Sequence, residues 1–101
     1  MHLIQILLPV RDNEGQPFGP HPFEDVACKL SKKFGGITAY NRVPAQGRWE
    51  LSGKTQHDDV LVIEVMVETL AKSWWIDFRK QLETTFRQTH VIVRAQLIEL
   101  L

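Results

Sequence analysis

The chain has 101 residues, 44% hydrophobic and 24% charged, with zero formal net charge; this suits one small domain with a single core and leaves no room for a second. Balanced charge argues against nucleic acid or an anionic membrane as partner, since both call for a basic excess, and it is compatible with self-association. A lone Cys28 rules out an internal disulfide, no run reaches the ~18 apolar residues of a membrane span, and the start lacks a basic n-region and cleavage site, so a cytoplasmic protein is expected.

Leu3 to Pro9 reads as a strand, and Arg11 to His21 is rich in turn formers. A helix is expected from about Pro22. Proline suits its first turn, Glu24 and Asp25 complement the dipole, and Phe23, Val26, Ala27, Leu30 and Phe34 make one apolar stripe ended by Gly35-Gly36. Ile37 to Val43 reads as the second strand. Pro44 to Gly47 suggests a kink before Arg48 to Leu51, and Ser52-Gly53-Lys54 a turn that returns the chain toward the third strand. Thr69 is the expected N-cap of a long second helix with apolar positions Leu70, Ala71, Trp74, Trp75, Phe78, Leu82 and Phe86, and His90 to Leu97 is the fourth strand.

The third strand, Val60 to Val67, is apolar throughout except for Glu64. A strand wet on one face alternates apolar and polar residues, so this pattern predicts cover on both faces. A carboxylate there needs a partner or a ligand, because an unpaired buried charge costs several kcal/mol.

The order strand, helix, strand, strand, helix, strand is the split βαβ arrangement of a ferredoxin-like α+β domain spanning 1–101, with a four-stranded antiparallel sheet and both helices on one face. The first and third strands are expected at its centre, parallel to each other. Ile4, Ile6, Leu8, Leu61, Ile63, Val65, Val91, Val93 and Ala95 then face the helices. The open face displays Leu3, Gln5, Leu7, Val60, Val62, Glu64, Met66, Ile92, Arg94 and Gln96, together with Thr38, Tyr40 and Arg42.

Gln5, Glu64 and Arg94 fall near the middle of three adjacent strands on that face and form the leading candidate site. As a pocket, Arg94 would bind an anionic or carbonyl oxygen while Glu64 acts as acid, base or acceptor. The plainer alternative is an ion pair and amide that set strand register or cross a homodimer interface. Tyr40 and Trp49 are further ligand or interface candidates.

Other chemistries fit less well. RNA-binding domains of this topology stack bases on strand aromatics where this face offers Gln5, Val62 and Glu64. An acylphosphatase-like phosphate loop at Arg11 to Gly15 has the wrong spacing and reads as a solvated turn. A catalytic N-terminal proline is excluded by His2. Parallel central strands would bring His2 near His57-Asp58-Asp59, but the histidines lack metal-ligand spacing, and no metal or cofactor is expected. Cys28 reads as a half-buried thiol on the first helix. Of Trp74 and Trp75, ~100° apart around a helix, one should pack on the sheet and the other at the margin.

Through Phe34 to Tyr40, Gly47 to Trp49, Asp59 to Glu64 and His90 to Arg94, the chain resembles a group of small uncharacterised bacterial proteins of ferredoxin-like fold. More loosely it resembles the dimeric α/β-barrel superfamily, in which two such sheets face one another, often around a ligand cavity. The resemblance implies the fold and accounts for a third strand covered on both faces, and it assigns no activity and no catalytic residue; a homodimer and a small-molecule ligand are expected from the open sheet face. Two functions are therefore expected. The first is a self-associating binding or interaction module using the open sheet face. The second is a cofactor-independent isomerase or oxygenase of a small carbonyl compound with Glu64 as base and Arg94 at the oxyanion.

Overall fold

The structure is a computed structural model that describes residues 1–42, 50–51, 54–55 and 60–101, with backbone alone for residues 41–42, 50–51 and 54–55. The elements are β1 (His2–Pro9), α1 (His21–Phe34), β2 (Thr38–Arg42), the short pair β3 (Glu50–Leu51) and β4 (Lys54–Thr55), β5 (Val60–Val67), α2 (Lys72–Thr85) and β6 (Ile92–Leu97). The main sheet has the order β2-β5-β1-β6, and β3 pairs with β4 alone. This is the ferredoxin-like α+β fold.

All three pairings of the main sheet are antiparallel, which corrects the expectation of parallel central strands. The crossover through α1 makes β2 run with β1, and β5 enters between them in the opposite sense. His2 is consequently opposite Val67, while Val60 is opposite Pro9. His2 thus lies at the far end of β5 from Val60, so the parallel pairing that was to bring it near His57, Asp58 and Asp59 is absent. Those three residues, like Pro44 to Trp49, lie outside the described residues.

The core forms where the sheet's alternate residues meet the helix stripes. Ile4, Ile6 and Leu8 of β1, Ile63, Val65 and Val67 of β5, and Val91 before β6 pack against Val26 and Leu30 of α1 and Trp75, Phe78 and Leu82 of α2, with Phe86 closing one end. The period-2 and 3.6-residue patterns select these side chains, as expected. Phe18 and Phe23 meet the Phe86 ring at 5.1 and 5.2 Å. Phe34 stacks on Trp75 at 5.2 Å, and Trp74 on Phe78 at 5.0 Å. Both indoles therefore border the core, Trp75 buried and Trp74 half-buried.

Helix ends differ in how well local residues marked them. Gly35 caps α1 in the left-handed region, at φ 84°, with its N–H donating to Ser31 O at 2.8 Å. The second helix begins at Lys72 rather than after Thr69, and its N-cap, Ala71, makes no side-chain capping bond. Leu70 packs on the core from the preceding segment, so an apolar anchor sets the start here, in place of a hydroxyl cap. Cys28 is exposed instead of half-buried, because the α1 stripe runs through Val26 and Leu30 and turns residue 28 outward.

Candidate functional site

The register lines up one row across the open face. Thr38 of β2 is opposite Glu64 of β5, Glu64 is opposite Gln5 of β1, and Gln5 is opposite Arg94 of β6. Tyr40, opposite Val62, sits diagonally from Glu64. Side chains on one face of neighbouring strands come within bonding reach at such positions.

Along this row the Arg94 Nε donates to Gln5 Oε1 at 2.9 Å, and Gln5 Nε2 donates to Glu64 Oε2 at 2.7 Å. The Tyr40 hydroxyl donates to the same Glu64 oxygen at 3.3 Å. Arginine and glutamate thus act on one another through an amide. The expected cluster of three is thus a relay, because β1 lies between the strands of Glu64 and Arg94 and two strand spacings amount to about 10 Å. Among the described residues, Glu64 Oε1 and the two terminal nitrogens of Arg94 have no hydrogen-bond partner. Glu64 is half-buried, and Arg94 is exposed.

Apolar side chains border the row. Val62 is 3% exposed, although it belongs to the open face, whereas Met66 is 54% exposed. The cover predicted for both faces of β5 is thus present at Val62 and absent at Met66. A groove of about 460 Å³ runs beside Glu64 and is lined by Leu3, Phe34, Gly35, Ile37, Thr38 and Met66. A carboxylate at the edge of such a groove offers an acceptor for a ligand N–H or O–H or a counter-charge for a cation, and Arg94 offers donors for an anionic group farther along the row.

Of the sequence candidates, Gln5, Tyr40, Glu64 and Arg94 come together, and Trp49 lies outside the described residues. Sequence reasoning had placed Tyr40 on this face without its bond to Glu64. It missed a second groove, about 600 Å³, between Leu7, Val60 and Ile92 and the turn at Arg11 to Gly15, with His90 and Gln88 on its rim. The turn is locked internally. Asp12 accepts from the N–H groups of Glu14 and Gln16 at 2.9 and 2.8 Å, and Arg87 reaches its other oxygen at 3.4 Å. The Asp-Asn-Glu-Gly spelling was the available signal for this turn. Asp12, the carboxylate that lines this groove, is consumed in holding the loop, so the Glu64 groove is the better-equipped site.

No family model matches the chain, nor does any curated protein. Among solved structures, the chain is similar to a phage SAM lyase in complex with S-methyl-5'-thioadenosine, with TM-score 0.57 and 19% identity over 94% of this chain and 79% of that one. At that identity the likeness shows the fold alone. No helix among the described residues is long and apolar enough to cross a membrane.

Proposed function

We propose that the protein is a self-associating, cytoplasmic small-molecule-binding module whose ligand lies on the open sheet face along the row Tyr40, Glu64, Gln5, Arg94. The observation that carries this reading is a pair of polar ends, a Glu64 oxygen and the Arg94 terminal nitrogens, that are unfilled among the described residues and held apart by Gln5 beside an apolar groove. Such spacing suits a molecule with a donor or cationic group near one end, an anionic group near the other and an apolar or aromatic body between them. The similar phage structure holds a thioadenosine, so S-adenosylmethionine, which carries a carboxylate for Arg94 and cationic groups for Glu64, is the first probe and the neutral S-methyl-5'-thioadenosine the second.

Calorimetric titration of wild type, Glu64→Gln and Arg94→Ala with both compounds tests the reading. Wild type should bind one of them, and each variant should lose about tenfold in affinity, ~1.4 kcal/mol, with circular dichroism unchanged. Binding that both folded variants retain in full would remove the row from the site.

The contact between Tyr40 and Glu64 supports a second reading, a cofactor-independent isomerase or oxygenase with Glu64 as base. The intervening strand puts Arg94 far from a carbon that Glu64 could deprotonate, so the phenol of Tyr40 would face the developing oxyanion. Turnover would then disappear in Glu64→Gln while ligand binding persists, a split that the binding-module reading does not produce.

A further inference from the structure

We infer that β6 is the seam of a two-fold dimer, in which the β6 strands of two copies pair antiparallel about Ala95 and each copy adds its Gln96 to the Arg94 end of the other's polar row. The inference rests on the self-association proposed above and says where it occurs. Among the described residues, β6 is the last strand of the main sheet, with β1 on one side only.

Hydrogen-bond parity identifies the groups on its free side. Ile98 N–H donates to Met1 O at 3.0 Å, and the register pairs His2 with Leu97. Met1 and Ile98 are therefore a hydrogen-bonded pair, and such pairs alternate along an antiparallel ladder. Ile92, Arg94 and Gln96 direct their N–H and C=O groups to β1. Val93, Ala95 and Leu97 direct theirs outward.

Protein edges are commonly blunted by charged side chains, above all lysine, by proline or by a bulge. The six residues Ile-Val-Arg-Ala-Gln-Leu contain no proline or lysine and pair continuously with β1, and their one charge, Arg94, is engaged by Gln5 on the open face. On the helix side of this edge lies a groove of about 240 Å³ whose mainly apolar lining includes Ile4, Trp75, Ile76 and Val93, with Lys72 and Arg94 also on its wall. Ile76 is 47% exposed, and Leu97, which turns to the helix side, is 76% exposed. An open ladder beside an apolar groove calls for a strand with an apolar side chain at one position.

A second copy of β6 supplies such a strand in one register. When the open faces of both copies lie on the same side, the two-fold stands perpendicular to the sheet, and opposed residues share a face. Centring the axis on Arg94 sets two guanidinium groups against each other in the closer, non-hydrogen-bonded kind of pair, which is repulsive. Centring it on Ala95 instead pairs Val93 with Leu97, Arg94 with Gln96 and Ile92 with Ile98. Every outward-facing group then finds a partner, Arg94 meets an amide, and Leu97 arrives beside Val93 at the mouth of the groove. Zero net charge adds no long-range repulsion. The result is one continuous sheet of eight strands, with the open face left free for ligand.

Disulfide mapping in a Cys28→Ser background tests the seam. Opposed Cα atoms in a hydrogen-bonded pair stand about 5.5 Å apart, within disulfide reach. Ala95→Cys should therefore form a covalent dimer under mild oxidation. Val93→Cys and Leu97→Cys should cross-link when mixed and neither should do so alone, since self-pairs at those positions are separated by four residues, roughly 14 Å. Ala95→Pro removes an outward N–H without touching the ladder to β1, and it should give a folded monomer by light scattering and circular dichroism. A dimeric wild type whose Ala95→Cys variant stays unlinked would overturn the seam and leave self-association standing. A wild-type monomer would overturn both, while ligand titration judges the open-face site separately.

Discussion

Gln5 decides the chemistry of the open face, because an amide can accept from a guanidinium and donate to a carboxylate at once. A leucine there would leave Glu64 with Tyr40 as its one donor among the described residues. Glu64 itself is half-buried and keeps an acceptor oxygen when changed to glutamine. Glu64→Gln is therefore expected to alter unfolding free energy by less than about 1 kcal/mol in urea titrations while it weakens ligand binding. A loss of several kcal/mol would reassign the side chain from ligand site to structural linchpin. The position was legible in the sequence as one charge in an apolar strand. The bond from Tyr40 was not, because it depends on a diagonal between β2 and β5 that only their register sets.

At the scale of elements, the two helix ends make opposite predictions. Gly35 has open space where a Cβ would stand, so Gly35→Ala is penalised by its positive φ alone. The expected loss is about 1 kcal/mol, read as a fall of roughly 4–8 °C in melting temperature. Thr69, by contrast, precedes a helix whose N-cap is Ala71. Thr69→Ala should cost less than ~0.5 kcal/mol in a urea titration, against about 1 kcal/mol for a true capping threonine. The glycine signal was readable because αL backbone has a residue-specific cause. The threonine signal misled because the start of α2 is set by Leu70 reaching the core, a contact that no local spelling reports.

At the scale of the whole molecule, Phe86 joins parts that are distant in sequence, since the rings of Phe18 and Phe23 close on it and it is fully buried. Phe86→Ala opens a cavity at that junction. It should cost about 3–5 kcal/mol, a large share of the 5–15 kcal/mol typical of a small domain, and shift the urea midpoint accordingly. A loss below 1 kcal/mol would mean that the aromatic junction collapses around the gap. The Leu3-Met66 groove and the β6 edge also exist only at this scale, because each is bordered by elements far apart in the chain.

What the sequence determined by itself is what local periodicity encodes: the order of strands and helices, the residues that face the helices, and the presence of Gln5, Glu64 and Arg94 on the opposite face. Alternation and helical spacing are properties of neighbouring residues, so they survive without coordinates. The sense of the two central strands relative to each other, the hydrogen bonds that tie Arg94 to Glu64 through Gln5, the second groove and the outward parity of Val93, Ala95 and Leu97 were decided by the tertiary structure. Each depends on how strands β1, β5 and β6 pair, and pairing is a relation between residues distant in the chain that no single segment carries.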